Sequence, residues 1–312
     1  MGSHRRPSTV RPSGAGPPAG RKRSFAVVVP ARNETTQLPG CLDTVARERP
    51  DEVVVVDGRS EDGTREVARA RGARTLTADR ARRSTQMNLG AASCTSEVLV
   101  FLCADSRLPA GALSVVDRAF DRHPDLVAGS FALRLHDDAD IAALPNGLVR
   151  RRRQVGRRLS LRAMATSADV YCRCTRTLMC DRGIFVLRDA FERLGGFREL
   201  PVMEDVDLGR RLRQESRVIV LRRPAVSSSG RRFGGPAGAL LAARVLVACA
   251  ATALGMPAER VARALYAPHG GPAGSGSSPP TTGRSREPAH ERESSSRAAP
   301  AVRGTSRHRE DG

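Results

Sequence analysis

The stretch EVVVVDGRSEDGT, Glu52 to Thr64, decides how the rest of the chain is read. Four consecutive β-branched residues that stop abruptly predict a short strand buried on both faces. The residues that follow then lie at the carboxyl edge of a sheet, where open α/β folds place their ligands. Asp57 and the glycines Gly58 and Gly63 therefore belong to a loop shaped for a ligand.

Strand and helix signals alternate around it. FAVVV (Phe25–Val29), EVVVV (Glu52–Val56), RTLTA (residues 74–78), EVLVFL (Glu97–Leu102) and LVAGSFALRL (Leu126–Leu135) read as strands. Thr35–Arg47, Thr64–Arg71 and Ser84–Ala92 read as helices, with Asp62 as the N-cap of the second. Strands alternating with helices of this length predict βαβ units and a mostly parallel sheet covered on both faces.

Composition narrows the function. The 312 residues carry 52 Lys+Arg against 33 Asp+Glu, a formal charge of +19, with Lys22 the one lysine. Arginine pairs bidentately with phosphate and carboxylate, so a nucleic acid or a diphosphate would account for the excess. Aromatics at 3% and the absence of Trp leave little to stack on bases, so no nucleic-acid partner is expected. Seven scattered cysteines without a secretory signal fit a reducing cytoplasm. Cys172, Cys174 and Cys180 lack zinc-site spacing and a nearby histidine, and read as ordinary thiols.

The Pro/Gly/Ser/Arg-rich residues 1–24 and 268–312 are expected to be disordered tails, since they have too little apolar surface to offset ordering entropy. They flank a folded α/β domain over 25–235 and a helical segment over 236–267. Within the latter, Ala237–Met256 is long but carries Arg244 and many alanines, which predicts a buried or surface-lying helix and not a span. The amphipathic residues after it would suit peripheral contact with the inner membrane face.

Two nucleotide-binding designs are excluded by the loops. The turn after the first strand, PARNET, has no glycine, so it is not a dinucleotide fingerprint. GRSEDGT has Thr64 where a P-loop needs lysine. What is left is an acid after each of three strands: Glu34, Asp57 and Asp105. Such carboxylates can accept from a ribose or base N–H, or hold a divalent cation on a diphosphate.

The blocks VVVPARNE, VVVVDGRSEDGT and FLCADSRLP resemble the nucleotide-binding half of family 2 glycosyltransferases, which have the GT-A fold. STQMNLGA, CDRGIFVLRDAFERLGGF and LPVMEDVDLGRRL resemble a subgroup associated with radical-SAM genes and named for arsenosugar biosynthesis. The resemblance runs from Phe25 to Tyr266. It implies an α/β GT-A fold with C-terminal helices, and an inverting transfer from a UDP-linked sugar to a hydroxyl acceptor. By the same resemblance Pro30, Ala31, Asn33, Glu34, Asp57 and Arg83 contact the donor nucleotide. Asp105 holds Mg²⁺ or Mn²⁺, and Asp205, with Glu204 beside it, is the catalytic base; Asp207 is the neighbouring candidate. The chain departs from the subgroup at Cys103, where histidine is usual, and at Cys180-Asp181-Arg182-Gly183, where GDQG is usual. Thiolate suits Mg²⁺ poorly, which puts the metal site and the acceptor pocket in question. A nucleotidyltransferase, which would place a Gly-rich basic loop after the first strand, and a non-catalytic protein binding nucleotides or anionic surfaces are the alternatives.

Overall fold

A computed structural model describes residues 22–136, 150–200, 202–233, 235–257 and 260–261. The expected tails lie almost entirely outside the described residues, as does most of the segment after Met256. Among the described residues eight strands form one sheet in the order β3-β2-β1-β4-β7-β6-β8-β5. The strands are β1 (Phe25–Ala31), β2 (Glu52–Asp57), β3 (Arg74–Thr77), β4 (Val98–Phe101), β5 (Ser106–Arg107), β6 (Leu126–His136), β7 (Ile184–Leu187) and β8 (Arg217–Ser229). The helices are α1 (Leu38–Glu48), α2 (Thr64–Ala70), α3 (Arg83–Ala92), α4 (Ala112–Arg122), α5 (Arg150–Thr175), α6 (Arg188–Arg193), α7 (Glu204–Glu215) and α8 (Gly235–Ala253).

The valine run of β2 is buried because both its faces are covered. Val27 and Val29 of β1 join Val55 in a core with α1 and α4, while Val28, Val54 and Val56 pack on the opposite face with Met87 of α3 and Leu208 of α7. Each such side chain contributes roughly 1.5–3 kcal/mol of burial. Helix α3 lies very close to the sheet at Gly90, where an added Cβ would stand 2.3 Å from a Val28 methyl. A small residue at that point lets α3 settle against β1.

Helix α1 begins at Leu38, three residues later than expected at Thr35. Thr35 is held in a turn, its N–H and hydroxyl donating to Asp62 at 3.2 and 2.9 Å, and Pro39 then starts the helix. Gly63, with φ +80°, occupies the cap position of α2. Asp62 still accepts the Thr64 N–H at 3.1 Å, so it satisfies a first-turn donor from one position further out.

Registry brings the later half of the chain to the same edge as the earlier half. Strands β1, β2, β3 and β4 run parallel, so their carboxyl ends share one edge. β7 runs antiparallel to β4 with Ile184 opposite Phe101, so the residues just before β7 meet those just after β4. A 3-10 turn, Cys180–Arg182, occupies that place, beside Cys103 and Asp105. No described helix is long and apolar enough to cross a membrane.

Candidate active site

Asp57 ends β2, fully buried, and accepts the Ser60 N–H at 3.1 Å. Arg65 approaches the same carboxylate at 3.8 Å. The loop is tied to the one after β1. The Asn33 N–H donates to Ser60 Oγ at 2.9 Å, Glu61 N–H donates to Asn33 Oδ1 at 3.0 Å, and Glu34 N–H donates to Thr64 Oγ1 at 2.9 Å. Pro30 and Ala31 are the last residues of β1, opposite Val56 and Asp57. Gln86 of α3 closes the floor by donating to the carbonyls of Ala31 at 2.9 Å and Val56 at 2.7 Å. A Cβ on Gly58 would come within 2.9 Å of that Gln86 amide, which accounts for the glycine after Asp57. The loop is a rigid shelf with a buried acid beneath it.

Glu34 and Asp105 meet through a residue that sequence reasoning passed over. Arg231, in the 3-10 turn after β8, is paired with Glu34 and lies 3.5 Å from Asp105. Nothing in the local sequence around Arg231 marks it; the 197-residue separation from Glu34 is closed only by the sheet. Among the described residues no group of three His, Cys, Asp or Glu side chains is placed to hold a metal ion. Asp105 alone fits a cation carried in on a diphosphate, because Mg²⁺ is commonly held by one or two protein carboxylates and substrate phosphates.

Arg83, expected near the donor, faces the acids of α7. It donates to Glu204 at 2.5 Å and lies 3.5 Å from Asp205. Glu204, Asp205 and Asp207 all sit in the first turn of α7 and all are buried. Asp205 Oδ2 accepts the Cys180 N–H at 2.8 Å, and Oδ1 accepts the Val206 N–H at 2.9 Å. Burial, reinforced by Glu204, pushes its pKa up to about 6 although Arg83 and the two N–H groups oppose the rise. Asp207 is occupied differently: Arg211 donates to it at 2.8 Å while holding the carbonyls of Leu194 and Gly196. Asp207 therefore organises the chain ahead of α7.

The turn before β7 adds two more charged side chains. Arg182 is wholly buried and paired with Asp169 of α5, whose Oδ1 also accepts the Leu133 N–H at 3.0 Å. Arg182 Nε and Nη2 and Asp181 Oδ1 are buried without hydrogen-bond partners among the described residues. Each orphaned group costs roughly 1–3 kcal/mol. The neighbouring Cys103 thiol and burial hold the Cys180 thiol well above its ordinary pKa, and its Sγ donates to Met87 Sδ at 3.5 Å. Two surface concavities of about 230 and 460 Å³ lie elsewhere, and neither is lined by Asp57, Asp105 or Asp205.

A parallel half-sheet with a buried acid at its edge, joined to a mixed half that returns a second acid to the same edge, defines the GT-A class of α/β fold. The family model for glycosyl transferase family 2 matches residues 26–191, more than half of the chain, and the chain belongs to that family. A 4,4'-diaponeurosporenoate glycosyltransferase of Staphylococcus haemolyticus is 35% identical over 94 residues, 28% of this chain and 25% of that protein. The chain thus matches about a quarter of that relative's length. Among solved structures, the mannosyltransferase PcManGT of Pyrobaculum calidifontis, in complex with GDP-Man and Mn²⁺, superposes with a TM-score of 0.52 at 18% identity, covering 82% of this chain and 71% of that one. Glucosyl-3-phosphoglycerate synthase of Mycobacterium tuberculosis, in complex with Mg²⁺ and UDP, gives 0.50 at 17% identity over 75% and 80%. These two likenesses establish the fold.

Proposed function

We propose that the chain is an inverting glycosyltransferase, moving a sugar from a UDP-linked donor to a hydroxyl acceptor. The observation that carries the reading is Asp205: a buried carboxylate with a pKa of about 6, oriented by two backbone N–H groups at the edge that also bears Asp57 and Asp105. In a single displacement the acceptor oxygen bonds to the anomeric carbon as the bond to the diphosphate breaks, and Asp205 takes the acceptor proton. A carboxylate titrating near 6 is ionised at neutral pH yet basic enough to share that proton. Asp57 accepts from the nucleoside, with Pro30, Ala31, Asn33 and Glu34 shaping the loop around it. Arg83 positions Glu204 and Asp205.

Asp105 would hold Mg²⁺ or Mn²⁺ on the donor, and such a cation supplies Lewis-acid stabilisation of the departing diphosphate. The metals bound in the two transferases of like fold support this assignment. Arg231, already beside Asp105, offers positive charge to the same phosphates. The subgroup resemblance supports a small-molecule biosynthetic acceptor such as that of arsenosugar formation. The six free cysteines among the described residues support a cytoplasmic setting. Exposed Leu240, Leu241 and Val247 on α8, near Arg244, support peripheral contact with an anionic membrane face. The division into a domain over 25–235 and a helical segment over 236–267 belongs to the same proposal.

The test is a donor screen that reads free UDP, GDP or dTDP, with Mn²⁺ or with EDTA, on wild type and Asp105→Asn. UDP release that EDTA abolishes, Mn²⁺ restores and Asp105→Asn mimics is the expected result. Full turnover in EDTA would remove the metal, and release of another nucleotide would remove UDP.

A further inference from the structure

The turn before β7 contains a guanidinium that is only half used. Asp169 engages Arg182 Nη1, while Nε and Nη2 have no partner among the described residues although the side chain is fully buried. Those two nitrogens form one edge of the guanidinium, with parallel N–H bonds spaced for the two oxygens of a carboxylate or phosphate. If Arg182 served only to tie α5 to the sheet, its second edge would be expected to be satisfied from within the fold. It is not. Beside it Asp181 presents an acceptor, Oδ1, that is also buried and unpartnered. A two-pronged donor and an acceptor, neighbours in sequence and both unpartnered among the described residues, are complementary in hydrogen bonding to a molecule bearing an oxyanion and a nearby hydroxyl.

The position fits the acceptor side of the site. Cys180, the residue before Asp181, donates its N–H to the Asp205 carboxylate at 2.8 Å. Asp181 follows Cys180 in the same 3-10 turn, and the charges of Arg83 and Asp105 both act on its carboxyl. A hydroxyl held by Asp181 therefore lies in the neighbourhood of the group that would deprotonate it.

We propose that Arg182 and Asp181 form a specificity subsite for an anionic acceptor, Arg182 taking a carboxylate or phosphate and Asp181 an adjacent hydroxyl. This rests on the transferase reading, since it names the acceptor class for that reaction. It is a binding statement, however, and can be tested without turnover.

Thermal melting of the full chain is followed against inorganic phosphate and against glycerate, for wild type, Arg182→Gln and Asp57→Ala. Wild type and Asp57→Ala should share a saturable rise in Tm, and in Arg182→Gln the apparent affinity should fall at least about tenfold, as for one lost charged hydrogen bond. A stronger response to phosphate assigns a phosphate ester, and a stronger response to glycerate assigns a hydroxy acid. An equal response in Arg182→Gln overturns the subsite. So does a response lost in Asp57→Ala and kept in Arg182→Gln, which would put the anion at the donor loop. Should Arg182→Gln not fold, Arg182→Lys keeps the charge opposite Asp169 without the two-pronged edge; binding as tight as wild type would again overturn the proposal. If the Arg182-dependent response holds while no donor is turned over, the transferase reading fails and the anion subsite stands.

Discussion

Arg83 on α3 donates to Glu204 on α7 at 2.5 Å, across 121 residues of sequence. The contact joins the helix packed on the parallel half of the sheet to the helix that carries the proposed base. Arg83 also lies 3.5 Å from Asp205, so one guanidinium sets the charge balance of both acids.

Removing either partner should move Asp205 in opposite directions. Arg83 lowers the pKa of Asp205 and Glu204 raises it. Arg83→Met is therefore expected to shift the acid limb of the kcat/KM profile above pH 6, and Glu204→Gln to shift it below. Profiles that move together, or not at all, would show that the limb belongs to another group.

Asp205→Asn separates catalysis from stability. Loss of a general base should lower kcat on the order of 10²–10⁴-fold, with UDP affinity close to wild type. The stability effect has the opposite sign. The folded pKa, about 6, lies above the ordinary 3.8, so ionised Asp205 destabilises the fold above pH 6, and the penalty vanishes below 3.8, where both states are protonated. At 1.36 kcal/mol per unit the penalty is on the order of 3 kcal/mol. The variant should melt higher than wild type at pH 7.5 and equally at pH 3.5. A lower Tm at pH 7.5 would mean that the Cys180 and Val206 N–H bonds need the charge.

Asp57→Ala should weaken UDP binding by roughly 1.5–3 kcal/mol in calorimetric titration, as for a hydrogen bond to a charged group. Part of that loss is structural, because the Ser60 N–H loses its acceptor. Asp57→Asn keeps an acceptor oxygen for Ser60 and should lose less. Equal losses in the two variants would assign the whole effect to charge, and unchanged affinity would move the nucleotide elsewhere.

Gly90→Ala probes the seating of α3. The new methyl would meet Val28 at 2.3 Å and Val56 at 3.0 Å, so α3 must lift from β1. Overpacking of this kind costs about 1–3 kcal/mol, and a lifted α3 carries Gln86 and Arg83 with it. Lower denaturation midpoint together with weaker UDP binding is expected; a midpoint equal to wild type would show that the sheet yields instead.

The local signals were sufficient for the strands and for the acids at their ends. Four valines stop at Asp57, and the period of the pattern changes from strand to helix wherever α1, α2 and α3 follow. These are short-range facts: β-branching, turn glycines and an abrupt end to burial act within a few residues of one another. Helix starts were less legible, since Asp62 reaches across to Thr35 and delays α1, a contact between two loops. Which acids share a charge partner was decided by the tertiary structure alone. Arg231 reaches Glu34 and Asp105, Arg83 reaches Glu204 and Asp205, and Arg182 is buried beneath α5 with one edge unpaired, because antiparallel β7 folds the later half of the chain back onto the carboxyl edge of β4. Sequence spacing has no term for that return: charge pairing acts over a few ångströms in space, and those ångströms span 121 residues of chain between Arg83 and Glu204 and 197 between Arg231 and Glu34.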